Sequence, residues 1–195
     1  MQVTIRSEKI TRISSEILIV GFFLDVRPIR GYAGEIDWFT NGTISSLIQH
    51  NKINGTLGEA TLLATPKVAT PKILLIGLGQ KRIYTYKILQ QLSTHVMEIL
   101  SRLKVCEAIA ELWGQEECSL DLVGCLDIFL QGWMGSPSQS RLGGEPALLT
   151  LLTHQSERIK ELAHRIREYE RTGILPSPSG DLPQGLGTLR VETNP

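Results

Sequence analysis

The stretch EILIVGFFLDVRPIRGYAGEIDW, residues 16–38, decides how the rest of the chain is read. Its first half holds an unbroken apolar run from Ile17 to Leu24. A run without alternation marks a strand covered on both faces, as in the interior of a parallel sheet. Its second half, IRGYAGEIDW, residues 29–38, carries two glycines, two carboxylates and a tryptophan. Directly after a buried strand, that composition reads as a bend, with glycines permitting a tight strand exit.

Outward from this stretch the chain alternates between strand and helix patterns. QVTIR at 2–6 reads as a strand, and Asp37 to His50 as one broken helix, weakened in its first half by Gly42 and the β-branched threonines. ATLLATP at 60–66 and KILLIGLG at 72–79 are two more strands, separated by the turn from Pro66 to Pro71. Leu89, Leu92, Val96, Ile99 and Leu103 then recur at helical spacing, with Thr85 placed to cap that helix. CEAIAELWG at 106–114 predicts a strand ending at Gly114. Ser119 is placed to cap an apolar helix running to about Gly132, and a Gly/Ser/Pro loop follows at 135–146. ALLTLLT at 147–153 predicts the last strand, and HQSERIKELAHRIREYER at 154–171 a helix with Ile159, Leu162, Ile166 and Tyr169 on its buried stripe. Parallel neighbours need crossover connections, and those connections are the helices. The expected architecture is an α/β fold, a three-layer α/β/α sandwich with a mixed, mostly parallel sheet over residues 1–171. A Pro/Gly-rich tail occupies 172–195.

Composition narrows the function classes. The chain has 195 residues, with Lys+Arg 20 against Asp+Glu 20. That balance supplies no overall positive field for nucleic acid, so no nucleic-acid partner is expected. The run Ile17 to Leu24 is far short of the roughly 20 apolar residues that span a bilayer, and no export signal is legible, so the expectation is a cytoplasmic protein without membrane contact. Cys106, Cys118 and Cys125 lack C-x-x-C spacing and read as small buried thiols, not as a disulfide framework or a zinc knuckle.

Apparatus for chemistry is sparse. IGLGQKR at 76–82 lies between a strand and a helix, where backbone N–H groups can meet phosphate, but it lacks the third glycine of a dinucleotide fingerprint and the Lys-Ser/Thr pair of a P-loop. His50, His95, His154 and His164 form no metal motif, and His154 and His164, ten residues apart on one expected helix, lie about 15 Å from each other. No G-x-S-x-G is present. The acidic pairs Glu35 with Asp37 and Glu116 with Glu117 read as solvated or helix-capping. Catalytic residues, metal ligands and cofactors are therefore all expected to be none.

The order of the segments carries more than any one of them. EILIVGFFLDVRPIRGYAGEIDWFTNGTISSLIQHNKINGTLGEATLLATPKVATPKILLIGLGQ, followed by YTYKILQQLSTHVMEIL and EECSLDLVGCLDIFLQGW, resembles the amino-terminal domain of the leucyl aminopeptidase family, the dizinc cytosolic exopeptidases. The resemblance runs to about Tyr169. That family keeps its two metal ions, its catalytic lysine and arginine and its NTDAEGR signature in a separate carboxy-terminal domain, and no NTDAEGR occurs in this sequence. The resemblance thus implies a stand-alone, non-catalytic relative that acts by protein interaction or self-assembly, as a homodimer or with another protein. The same domain is similar in fold to macro domains, which bind ADP-ribose at the carboxyl ends of the strands. The alternative implied is a binder of a phosphorylated small molecule such as ADP-ribose or a nucleotide, held between Gly31, Gly34, Gly77, Gly79 and Gly114, where glycines allow close backbone approach.

Overall fold

A computed structural model describes residues 2–10, 12–114, 118–134 and 148–172. Six strands form one sheet: β1 (Gln2–Arg6), β2 (Ile17–Phe22), β3 (Ala60–Ala64), β4 (Lys72–Gly77), β5 (Glu107–Glu111) and β6 (Leu148–Leu152). Their order is β1-β6-β5-β2-β4-β3, and every pairing is parallel except β3 with β4. Five α-helices cover it: α1 (Gly31–Phe39), α2 (Thr43–Gln49), α3 (Tyr86–Leu103), α4 (Leu122–Met134) and α5 (Ile159–Thr172). The three-layer sandwich is therefore the fold. β2 lies between β4 and β5, in register Leu18 with Ile73 and Ile17 with Ala108, and all six of its residues are buried.

The pleat sends successive residues of β2 to opposite layers. Ile17 and Ile19 enter a core with α3, α4 and α5, around Leu92, Val96, Phe129, Trp133, Leu162 and Ile166. Leu18 and Val20 enter a second core with α1 and α2, around Tyr32, Ala33, Ile36 and Ile44. An apolar run without alternation is what a strand with two dry faces requires.

The segment expected to be a bend is α1 instead. Residues 29–38 have two glycines and two carboxylates, yet Tyr32, Ala33 and Ile36 stand on one helical face and are buried, Ile36 completely. Three residues at that spacing suffice when a sheet waits beneath them, and tertiary burial overrides the weak propensity of Gly31 and Gly34. Gly31 has φ +60, so the helix begins on a conformation that glycine adopts freely. The expected single helix from Asp37 to His50 is likewise two elements, the end of α1 and the whole of α2, broken at Thr40 to Gly42 where Asn41 and Gly42 both have positive φ.

Asp37, the last carboxylate of the opening stretch, bridges that break. Gly42 offers no side chain to cap α2, and Asp37 supplies one from the preceding helix. The Ser45 N–H donates to its Oδ1 at 2.9 Å and the Ser45 hydroxyl to its Oδ2 at 2.5 Å. Asp37→Ala should cost about 1 kcal/mol of stability, the ordinary worth of a helix cap, read by urea denaturation. An unchanged midpoint would remove Asp37 from this role.

Other expectations shift by a turn. Asp121, not Ser119, caps α4, accepting the Gly124 N–H at 2.9 Å; Ser119 has φ +56 and stands outside the helix. Thr85 occupies the cap position of α3 without a side-chain hydrogen bond. On α3 the buried stripe runs through Leu89, Leu92, Val96, Met97 and Leu100, while Leu103 points to solvent. His154 lies ahead of α5, not on it, because the chain first makes a 3-10 turn at Ser156–Arg158. The expected tail at 172–195 and the pair Glu116 and Glu117 lie outside the described residues, except for Thr172, the last residue of α5.

Candidate functional site

After β2 the chain runs to β3 and β4 on one side, and after α3 it returns to β5 and β6 on the other. The carboxyl end of β2 is thus flanked by connections that leave in opposite directions, the usual position of a binding crevice in an open α/β sheet. Gly21, Phe22, Phe23, Val26, Ile29, Arg30, Leu78, Glu111, Trp113 and Gly114 line it. The crevice is closed. It retains a cavity of about 10 Å³, the minimum that admits one water.

Three side chains do the filling. Leu78 and Trp113 press on Gly21 so closely that a Cβ there would lie 2.8 Å from Leu78 Cδ2 and 2.8 Å from Trp113 Cδ1. Glu111, at the end of β5, turns back over β2 and its Oε2 accepts the Gly21 N–H at 3.2 Å. The inner ladder between β2 and β5 ends at Ile19 with Ala110, so this carboxylate takes the place of the next rung.

The five glycines expected to admit a ligand are only partly brought together. Gly114 lines the crevice, but a Cβ on it would meet Tyr84 Cε1 at 2.4 Å, and its φ is +85. Gly77 faces the chain's own loop, where a Cβ would lie 2.0 Å from the Thr56 carbonyl oxygen. Gly79, with φ +75, abuts Leu57, and its carbonyl accepts the Leu24 N–H at 2.9 Å. Gly31 opens α1, and Gly34 packs on the Ile29 carbonyl. At Gly34, Gly77 and Gly114 the atoms that an added Cβ would meet first are the chain's own.

Two open hollows flank the closed crevice. One, about 400 Å³, is lined by Asp25, Lys81, Arg82, Tyr84, Cys118 and Ser119, with the Lys81 N–H held by Asp25 Oδ1 at 2.9 Å. The other, about 180 Å³, is lined by Ser7, Glu8, Lys9, Tyr32, Glu35 and His154. There the His154 ring stacks on the buried Tyr32 ring at 3.9 Å, and His154 Nε2 lies 4.0 Å from Glu35 Oε1. Neither hollow was legible from spacing, since Tyr32, Glu35 and His154 meet only when α1 and the end of β6 lie side by side.

Among the described residues no group of three or more His, Cys, Asp and Glu could hold a metal ion. Of the three cysteines expected to be buried, only Cys125 is; Cys106 is exposed and Cys118 half-buried. Burial, then the nearby Asp121 and Cys118, push the Cys125 thiol up to about 12, which leaves it protonated and unreactive near neutrality. No described helix is long and apolar enough to cross a membrane.

A family model described as the cytosol aminopeptidase family, N-terminal domain, matches residues 19–121, just over half of the chain. The chain belongs to this family. Within the cytosol aminopeptidase family, the probable cytosol aminopeptidase of Nitrosococcus oceani is 36% identical over 93 residues, 47% of this chain and 18% of that protein. The one from Haemophilus ducreyi is 25% identical over 113 residues, 57% of this chain and 22% of its own length. The chain spans about a fifth of the length of such curated relatives. Among solved structures, a tomato leucine aminopeptidase mutant superimposes with a TM-score of 0.60 at 15% identity, over 86% of this chain and 36% of that one. An Oceanobacillus iheyensis macrodomain mutant gives 0.68 at 12% identity, over 86% and 88%. A Trypanosoma brucei macrodomain in complex with ADP gives 0.65 at 10% identity, over 83% and 67%. At such identities the likeness is one of fold: the cytosol aminopeptidase N-terminal domain shares the macrodomain architecture.

Proposed function

We propose that this member of the cytosol aminopeptidase family acts as a non-catalytic interaction module, through association with a second copy or with another protein. The observation that carries this reading is the closed crevice: a cavity of about 10 Å³ is far below the several hundred Å³ that a nucleotide-sized ligand occupies. The family match concerns the N-terminal domain, and the described residues converge on no metal or nucleophile constellation. The surface offers association chemistry in its place. Trp38, at the end of α1, is 81% exposed, and the adjacent Phe39 is 45% exposed. Large aromatic side chains in solvent carry much of the energy when surfaces associate. The balanced charge supports a protein partner over nucleic acid.

Light scattering across a concentration series should give a mass above that of a single chain, and Trp38→Ala should weaken association by about tenfold, roughly 1.4 kcal/mol. The same preparation should not hydrolyse leucine amides. A mass of one chain at every concentration, together with turnover of a leucine amide, would overturn the reading. A second reading, a binder of a phosphorylated small molecule, rests on Lys81 and Arg82 at the rim of the larger hollow. Calorimetry against ADP-ribose decides it: heat that is lost in Lys81→Ala favours the binder, and no heat at millimolar ligand leaves the interaction module.

A further inference from the structure

The sheet ends at β3, which among the described residues pairs with β4 alone. The ladder tells which backbone groups of β3 that pairing uses. The Gly77 N–H donates to the Glu59 carbonyl at 2.8 Å and the Thr65 N–H to the Pro71 carbonyl at 2.9 Å, so residues 59 and 65 face β4. Antiparallel pairing alternates residue by residue. Thr61 and Leu63 therefore face β4 as well, and the N–H and C=O groups of Ala60, Leu62 and Ala64 point away from the sheet. Edge strands are ordinarily guarded by a charged residue, a proline, a bulge or a covering element. ATLLA has no charge and no proline, and its register with β4 is unbroken from Ala60 to Ala64. All three outward residues are exposed, Leu62 to 48%. The exposed Trp38 and Phe39 belong to the same side of the molecule, because Lys67, just past β3, reaches the Thr40 carbonyl at the end of α1 at 3.4 Å.

We infer that β3 is an interface strand and that its partner is β3 of a second copy, joined antiparallel so that the two sheets continue as one. Turned about a two-fold axis through Leu62, the strand meets its own reverse: Ala60 opposite Ala64, Thr61 opposite Leu63, and Leu62 opposite Leu62. Every outward N–H then faces an outward C=O, and the two exposed leucines cover each other. No like charges meet within the strand. Glu59, at its start, is held back by its own loop, where it accepts the N–H groups of Asn54, Gly55 and Thr56. A foreign strand has access to the same backbone groups. What selects a second copy is the symmetry of the segment, one leucine between two alanines on the outward register, and a two-fold contact of this kind closes on itself. This inference rests on the interaction module proposed above and gives it a partner and a strand.

The test follows the full chain by light scattering and by amide hydrogen exchange, dilute and concentrated. In dilute solution the Thr61 and Leu63 amides should exchange slowly and those of Leu62 and Ala64 fast. In the associated range the Leu62 and Ala64 amides should slow by about tenfold or more, since pairing bonds them. Leu62→Lys places two like charges face to face on the axis, and should raise the dissociation constant by about tenfold or more. Leu62→Glu should do the same, and an equimolar mixture of the two variants should associate more tightly than either alone. Association with Leu62 and Ala64 still exchanging fast, or undiminished in Leu62→Lys, would overturn the edge and leave the interaction module standing. A mass of one chain at every concentration, without turnover of a leucine amide, would also overturn the edge but not the module. If neither variant folds, exchange in the native chain decides.

Discussion

Arg165→Ala should lower the free energy of unfolding by about 3–5 kcal/mol, the range seen when one partner of a buried ion pair is removed. The partner is Asp127 of α4, whose side chain is completely buried. Arg165 Nε donates to Oδ1 at 3.0 Å and Nη2 to Oδ2 at 2.6 Å, so both carboxylate oxygens are met by one planar fork from α5. Without that fork the fully buried carboxylate keeps its charge with no counter-ion, too deep for water to replace the lost bonds. The pair itself is not a net source of stability, since two charges leave water to form it. The double variant Asp127→Leu with Arg165→Met should therefore recover most of the loss. Urea denaturation reads both, and a single-variant cost below about 1 kcal/mol would place the pair among ordinary surface bridges.

Gly77→Val should cost about 3 kcal/mol or more, at the upper end of overpacking effects, because the obstruction is backbone and cannot rotate away. A Cβ at Gly77 would lie 2.0 Å from the Thr56 carbonyl oxygen and 2.8 Å from the Gly55 carbonyl carbon. That loop cannot retreat cheaply. Glu59 pins it by accepting the N–H groups of Asn54, Gly55 and Thr56, and the Gly77 N–H and carbonyl are themselves bonded to Glu59 and Gly58. Gly58→Ala is the control: φ is +78 there, but nothing lies within 4 Å of the added carbon, so only the left-handed strain of about 1–2 kcal/mol applies. Equal losses in the two variants, by thermal or urea unfolding, would show that conformation and not space governs Gly77.

The sheet and its order of elements were legible because they rest on local patterns. Ile17 to Phe22 and Ile73 to Ile76 are apolar without interruption, which only a strand with two covered faces tolerates. Leu89, Leu92 and Val96 recur at 3.6 residues and are buried on α3. Segment order then led to the aminopeptidase N-terminal domain, which the family match over residues 19–121 bears out. What misled was composition read locally. Gly31 and Gly34 suggested a bend, yet three buried residues, Tyr32, Ala33 and Ile36, make that stretch a helix once the sheet lies beneath it.

The sequence by itself determined which residues must leave water and at what spacing, hence a parallel sheet between two helical layers, and the family to which that order belongs. Only the tertiary structure decided whether the crevice at the end of β2 is open. Glycines at strand ends permit close approach, but whether ligand or protein approaches depends on atoms distant along the chain. Glu111 reaches Gly21 from 90 residues away, and Trp113 and Leu78 close on the same point. No local pattern encodes such contacts, because they arise from the register of strands that the sequence places far apart.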